Sequence, residues 1–272
     1  MEFLVHVDQF QQSRNRLTAA VALAERHKAR LIGLAVAPDP SMTATMVGAA
    51  PANMVSMLNA AMEENLGAAE AQFNTALSTT GLHYEFRRDT GSAADILSLH
   101  ARYADLTILG QTDPDDEIKS WLDHSVPLLA GGPVLVIPYA GHFSKIGTRP
   151  MSAWNGTREA ARAVKDAMVF LQRADAVDVL EVVTDRKKLD AAQARTSDLC
   201  TFLARHGVKA EASQLLASEI EISDLIISRM ADLGSDLLVM GAYGHSRFRE
   251  VVMGGVTRDV LRSTPVPILL AH

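Results

Sequence analysis

Twice along this chain an acidic residue opens a short apolar run that stops at a glycine: Asp105-Leu-Thr-Ile-Leu-Gly110 and Asp236-Leu-Leu-Val-Met-Gly241. Runs of this kind read as strands buried on both faces that open into a loop at the glycine. Each is followed by a second apolar run beside a proline, Pro133-Val-Leu-Val-Ile-Pro138 and Pro265-Val-Pro-Ile-Leu-Leu270. An earlier pair, Leu31–Val36 and Val177–Val182, repeats the correspondence. A strand order that recurs at this distance makes the chain two halves of one layout.

Helical patterns lie between the strands. Arg14–Lys28 spaces Leu17, Val21 and Ala24 by three and four residues, and Arg158–Arg173 does the same with Ala161, Val164, Met168 and Leu171. Ala93–Tyr103 and Glu221–Asp232 each precede the strand that ends at the glycine. Alternation of strand and helix predicts an α/β fold: an open parallel five-stranded sheet in each half, helices on both faces, in the order β-α-β-α-β-α-β-α-β. Tyr139–Pro150, with its two glycines and terminal proline, marks the boundary. The expected domains are 1–140 and 151–272 with a linker at 141–150, and the last strand of each half is expected to pair with the other. The first half carries extra residues around Pro38–Met62, where Met54, Met57, Leu58 and Ala61 form a helical stripe. That stripe is expected to pack on its own domain; the alternative is a contact surface for a second subunit or a protein partner.

Of 272 residues 26 are Lys or Arg and 32 are Asp or Glu, a formal charge of −6, which argues against nucleic acid or an anionic membrane as a partner. Cys200 is the single cysteine, so an internal disulfide and a thiolate metal site are excluded. Met1–Asp8 reads as a first strand rather than a secretory segment, and the longest uncharged stretch is too polar and broken to span a bilayer. A cytoplasmic protein is expected.

Candidate chemistry concentrates in the second half. After Gly241 come two residues, Gly244, nine residues, then Gly254-Gly255-Val256-Thr257-Arg258. Phosphates need several backbone N–H groups aimed at one point, and glycines let the main chain approach closely. Gly254 and Gly255 also precede a helix start, where free N–H groups and the helix dipole favour an anion, and Thr257 adds a hydroxyl there. The spacing is neither Gly-x-Gly-x-x-Gly nor the Walker pattern, and a purely structural glycine turn remains open. Trp154-Asn155-Gly156-Thr157-Arg158-Glu159 joins a strand end to a helix start, so Asn155 or Thr157 serves as N-cap, and Asn155 could equally meet a ribose or a base.

These residues carry a resemblance. Asp236–Glu250, Gly254–Arg258 and Trp154–Glu159 are similar to the wording of the universal stress protein family, and the whole chain resembles its tandem bacterial form. The resemblance implies a five-stranded parallel sheet in each half and an ATP site in the second, with ADP or AMP as alternatives and Mg²⁺ as a companion. It places Asn155 at the position of the aspartate that meets the nucleoside, Val182 beside the adenine, and Met240 and Gly241 near the ribose. Gly244, Gly254, Gly255, Val256 and Thr257 fall around the phosphates. Two departures stand out: the ATP-binding branch has Asp where this chain has Asn155, and Ser or Thr where it has Gly255. A hydroxyl missing beside a phosphate removes a hydrogen bond worth about 1 kcal/mol or somewhat more.

The first half departs further. Gly110 is followed by Gln-Thr-Asp-Pro-Asp-Asp-Glu117, which lacks the second glycine and concentrates Asp113, Asp115, Asp116 and Glu117 where phosphate would sit. This half is expected not to bind ATP, although Asp8 holds the aspartate position; the acids read as a solvated loop rather than a cation site. His245, Arg247 and Arg249 are expected as surface or phosphate-sensing residues, and Trp121 and Trp154 as packing residues. No catalytic residue is assigned, and slow ATP hydrolysis stays open. The leading function is a stress-response regulator that switches contacts with an unknown protein partner on binding an adenine nucleotide, with a homodimer as one form. The alternative is a nucleotide-free interaction scaffold that keeps its glycine loop for folding. Adenylation chemistry is set aside because neither His-x-Gly-His nor Ser-Gly-Gly-x-Asp occurs.

Overall fold

Each acid that opens a repeated strand ties down the start of its own half. Asp105 Oδ2 accepts the backbone N–H of Glu2 at 2.7 Å, and the Asp236 carboxylate accepts those of Thr148 and Arg149 at 2.8 and 2.9 Å. The carboxylates thereby clamp the first strand of each half to its central neighbour, which is what the repeated Asp does. The computed structural model describes residues 1–39, 52–113, 121–244 and 255–272.

The first half comprises β1 (Glu2–His6), α1 (Gln11–His27), β2 (Arg30–Ala37), α2 (Ala52–Leu77), β3 (Tyr84–Thr90), α3 (Ala93–Ala101), β4 (Leu106–Gly110), α4 (Leu122–Leu129) and β5 (Val134–Ile137). The second comprises β6 (Pro150–Ala153), α5 (Arg158–Asp166), α6 (Met168–Leu171), β7 (Val177–Val183), α7 (Leu189–Arg205), β8 (Ala210–Leu216), α8 (Ile222–Leu233), β9 (Leu237–Gly241), α9 (Gly255–Ser263) and β10 (Ile268–Ala271). The strands form one ten-stranded sheet in the order β3-β2-β1-β4-β5-β10-β9-β6-β7-β8. Every neighbouring pair is parallel except β5 and β10, which run antiparallel with Leu135 opposite Leu269. The two last strands thus cap each other's edge, as expected.

The central strands are buried along their length because helices cover both faces. One helix layer packs Leu17, Phe73, Ala163, Phe170 and Leu203 against the sheet, the other Leu97, Val126, Ile226, Met230 and Val260, and both layers run across the two halves. The free edges β3 and β8 are part-exposed, and β3 carries Glu85, Arg87, Arg88 and Asp89, charges that discourage pairing with another chain.

Three expectations change. The helix foreseen over Arg158–Arg173 is two: after Asp166 the chain tightens, Phe170 N bonding Ala167 O three residues back, and α6 restarts as a single turn. Trp121, expected to pack, is 49% exposed at a positive φ of 48°, its ring lying against His124. The stripe in α2 does not pack on the domain: Met54 and Met57 are 44% and 70% exposed, Ala61 is exposed and Leu58 half-buried, and the helix turns its core residues inward only further on, at Leu66, Phe73 and Leu77. Between the halves, Ile146 is buried and its carbonyl is held by Arg26 Nη1. No helix among the described residues is long and apolar enough to cross a membrane.

Candidate functional site

Gly241 ends β9, and its missing side chain is a steric requirement. A Cβ there would stand 2.5 Å from Ala160 N and from the carbonyl carbon of Glu159, so the first turn of α5 rests directly on the strand end. Thr157 caps that turn: its Oγ1 accepts Ala160 N–H at 3.3 Å. Asn155 shapes the entry, its Oδ1 accepting Thr157 N–H at 3.1 Å and Thr157 Oγ1–H at 2.8 Å. Of the two candidate caps, Thr157 does the capping and Asn155 makes the turn before it. With Oδ1 engaged, the Asn155 group left without a hydrogen bond among the described residues is the amide Nδ2, a donor where an aspartate would have a second oxygen.

The strand ends β6, β7 and β9 and the start of α9 enclose a cavity of about 250 Å³. It opens beyond the C-terminal ends of parallel strands, beside β6, where the strand order of the half reverses. Asn155, Val182, Met240, Gly241, Gly244, Gly255, Val256 and Thr257 all line it, so eight of the nine residues expected at the site meet in one place. Gly254, the ninth, lies outside the described residues, as do His245, Arg247, Arg249 and Glu250. Val182 and Leu180 form one apolar wall and Ile222 and Ile226 of α8 another. Trp154, expected only to pack, does pack on the core but also lines the cavity, and its buried Nε1 has no hydrogen-bond partner among the described residues.

Three features escape sequence reasoning. Glu159 is buried, with Oε2 only 3.0 Å from where a Cβ of Gly244 would stand. Burial pushes its pKa up, but the Arg158 guanidinium and backbone N–H bonding pull harder, and the net value lies below the usual carboxylate range. Tyr243, at a positive φ of 63°, lines the cavity and donates from Oη to His124 O of α4 at 3.0 Å, reaching into the other half. Burial pushes its phenol well up, so it stays a donor. Gln111, at the end of β4, makes the reverse crossing by donating from Nε2 to Leu261 O of α9.

The first half builds a different site on the same plan. A cavity of about 420 Å³ lies at the ends of β1, β2 and β4 and includes Asp8, Val36 and Gly110, the counterparts of Asn155, Val182 and Gly241. Arg16, 5% exposed, lies across it: Nε donates to His6 O at 2.6 Å, Nη2 to Asp8 Oδ2 at 2.7 Å and to Ser13 Oγ at 3.1 Å. A Cβ on Gly110 would stand 2.4 Å from Arg16 Nη1, so this glycine makes room for a guanidinium where Gly241 makes room for a helix backbone. Burial raises the Asp8 pKa, yet the charges of Arg16 and the bonds from Arg16 and Phe10 N outweigh it and keep the carboxylate ionised. Burial and then Arg16 hold His6 down to about 4, so it is neutral. Asp113 accepts Gln12 Nε2 at 3.4 Å, while Asp115, Asp116 and Glu117 lie outside the described residues. No cluster of three potential metal ligands occurs among the described residues.

Residues 151–272 match the model of the universal stress protein family. A universal stress protein of Synechocystis is 43% identical over 67 residues, which make up 25% of this chain and 22% of that relative, so the match spans about a fifth of the relative's length. In fold, the chain is similar over 99% of its length to a universal stress protein from Archaeoglobus fulgidus DSM 4304, 95% of which is covered, with a TM-score of 0.72 and 15% identity. A functionally unknown protein from Pseudomonas aeruginosa PAO1 gives 0.66 at 16% identity, over 99% of this chain and 92% of that one. The α/β architecture of the whole chain is shared with these structures.

Proposed function

Because residues 151–272 belong to the universal stress protein family, we propose that this half binds ATP, or a related adenine nucleotide, and that the bound state alters the chain's contacts with a protein partner in a stress response. The observation that carries the reading is the convergence of Asn155, Val182, Met240, Gly241, Gly244, Gly255, Val256 and Thr257 on one cavity at a strand-order reversal. Val182 and the α8 isoleucines offer the apolar slot a base requires, and Asn155 Nδ2 meets the sugar as a donor. The first turn of α9, from Gly255 to Thr257, supplies N–H groups to phosphate oxygens. The buried carboxylate of Glu159 suits a Mg²⁺ carried in by phosphates, a cation that takes one or two carboxylates and retains water; it does not form a metal cage by itself.

Glu159 also favours the second reading, a scaffold without nucleotide, since an ionised carboxylate beside Gly244 repels a phosphate that arrives without a cation. Calorimetric titration of ATP with Mg²⁺ into nucleotide-free protein separates the two. One site per chain, lost in Gly244→Val, is the expected result; two sites would overturn the assignment of the first half, and no binding would leave the scaffold.

A further inference from the structure

On the other face of the sheet from the α8 wall of the candidate site, a groove of about 380 Å³ runs between α5 and α7, a volume within the range of small-molecule sites. Its walls are Trp154 at the end of β6, Val164 of α5, and Leu199 and Phe202 of α7, which pack in the helix layer of Leu203 and not in that of Ile226. Gly156, at a φ of 73°, lets Arg195 pass along the groove, since a Cβ there would stand 2.9 Å from Arg195 Cδ. The Arg195 charge is spent: Nε and Nη2 both donate to Glu181, a buried carboxylate of β7. That leaves Lys165 of α5 and Asp198 of α7, both exposed at the groove, and neither makes a hydrogen bond or an ion pair among the described residues. An ammonium and a carboxylate on neighbouring helices thus flank an apolar slot whose other charges cancel. An anion drawn to Lys165 meets Asp198, and a cation drawn to Asp198 meets Lys165, whereas a molecule that carries both charges satisfies the two together.

We infer that this groove is a second ligand site, for a free α-amino acid with a bulky apolar side chain. The side chain lies among Trp154, Val164, Leu199 and Phe202, the α-carboxylate accepts from the Lys165 ammonium, and the α-ammonium donates to Asp198. The site belongs to the second half alone: with the helix starts Gln11 and Arg158 aligned, Val7 and Thr18 stand where Trp154 and Lys165 stand, so the first half lacks both the indole and the cation. Trp154 also lines the candidate nucleotide cavity, so its indole reports on the groove by itself only in nucleotide-free protein.

The test is a titration of nucleotide-free full chain with L-phenylalanine, read by calorimetry in the wild type and by tryptophan emission in Trp121→Phe, where Trp154 is the one tryptophan left. The expected result is saturable binding in both, none with glycine, and affinity about fivefold weaker for N-acetyl-L-phenylalanine, which lacks the ammonium, and for phenethylamine, which lacks the carboxylate. Lys165→Gln and Asp198→Asn, both at exposed positions, are each expected to weaken phenylalanine binding about fivefold. Asp198→Asn is also expected to remove the advantage of phenylalanine over its N-acetyl form, a loss that a purely structural role of Asp198 would not produce. No saturable heat, heat without a change in Trp154 emission, or affinity unchanged in both variants would each overturn the inference. Binding of the uncharged N-acetyl-L-phenylalaninamide as tight as that of phenylalanine would overturn it too, by giving the groove to a peptide segment.

Discussion

His27, at the end of α1, makes the junction between the halves acid-labile. It is 6% exposed, its ring 5.9 Å from that of Phe3 and 5.1 Å from that of Phe170, a residue of the other half. Neither ring nitrogen has a hydrogen-bond partner among the described residues. Burial, then the nearby Arg173 and Arg26 charges, lower its pKa from 6.5 to about 4. The unfolded chain therefore binds the proton first as pH falls, and the stability this residue contributes is complete above pH 6.5 and is lost progressively down to about 4. With those two values, acidifying from pH 8 to pH 4.5 removes about 2.5 kcal/mol through this one ring. His27→Leu removes the titration while keeping an apolar side chain in the slot. Urea unfolding of both proteins at the two pH values isolates the effect, because His6, His124 and the carboxylates titrate alike in each. The variant is expected to lose about 2.5 kcal/mol less than the wild type on acidification. Equal losses would refute the claim that this ring is held neutral by its burial.

Gly241→Val forces a Cβ to 2.5 Å from the α5 backbone, so a thermal melt is expected to fall by several degrees with ATP binding lost; an unchanged melt would mean α5 does not rest on the strand. Glu159→Gln removes the charge beside Gly244 and is expected to improve ATP binding without Mg²⁺ relative to binding with it, read as the ratio of the two dissociation constants; an unchanged ratio would remove Glu159 from the site. Tyr243→Phe leaves His124 O without its donor and is expected to cost about 1 kcal/mol in urea unfolding, whereas a neutral result would dismiss that crossing. Asp236→Ala releases two backbone N–H groups and Asp105→Ala one, so the first is expected to cost roughly twice the second, about 2 to 3 against 1 to 1.5 kcal/mol; equal costs would contradict the clamp.

The strands were legible because burial on both faces leaves no room for polar alternation, so Leu106–Gly110 and Leu237–Gly241 announce themselves as apolar runs. The cavity residues were legible for a related reason: at a strand end that supports a helix turn, only glycine avoids the backbone, and Gly241 keeps that mark in the sequence. The same mark misleads at Gly110, where the neighbour is the Arg16 side chain, because a glycine records that something approaches and not what. Ile222 and Ile226 read as core positions of an amphipathic helix, and only the placement of α8 beside the ends of β6, β7 and β9 makes them cavity walls. The side-chain contacts between the halves, unlike the β5–β10 pairing, were the least legible, and their chemistry explains it. Tyr243 reaches His124 O, Gln111 reaches Leu261 O, Arg26 reaches Ile146 O and Arg173 reaches Arg26 O. Each acceptor is a main-chain carbonyl, which every residue carries, so the partner leaves no trace in its own side chain and pairing cannot be read from complementary residue types. The side chains that reach across are therefore free to change only as donors, and beyond the β5–β10 pairing and the shared core these contacts join the halves by reach and hydrogen count rather than by matched charges.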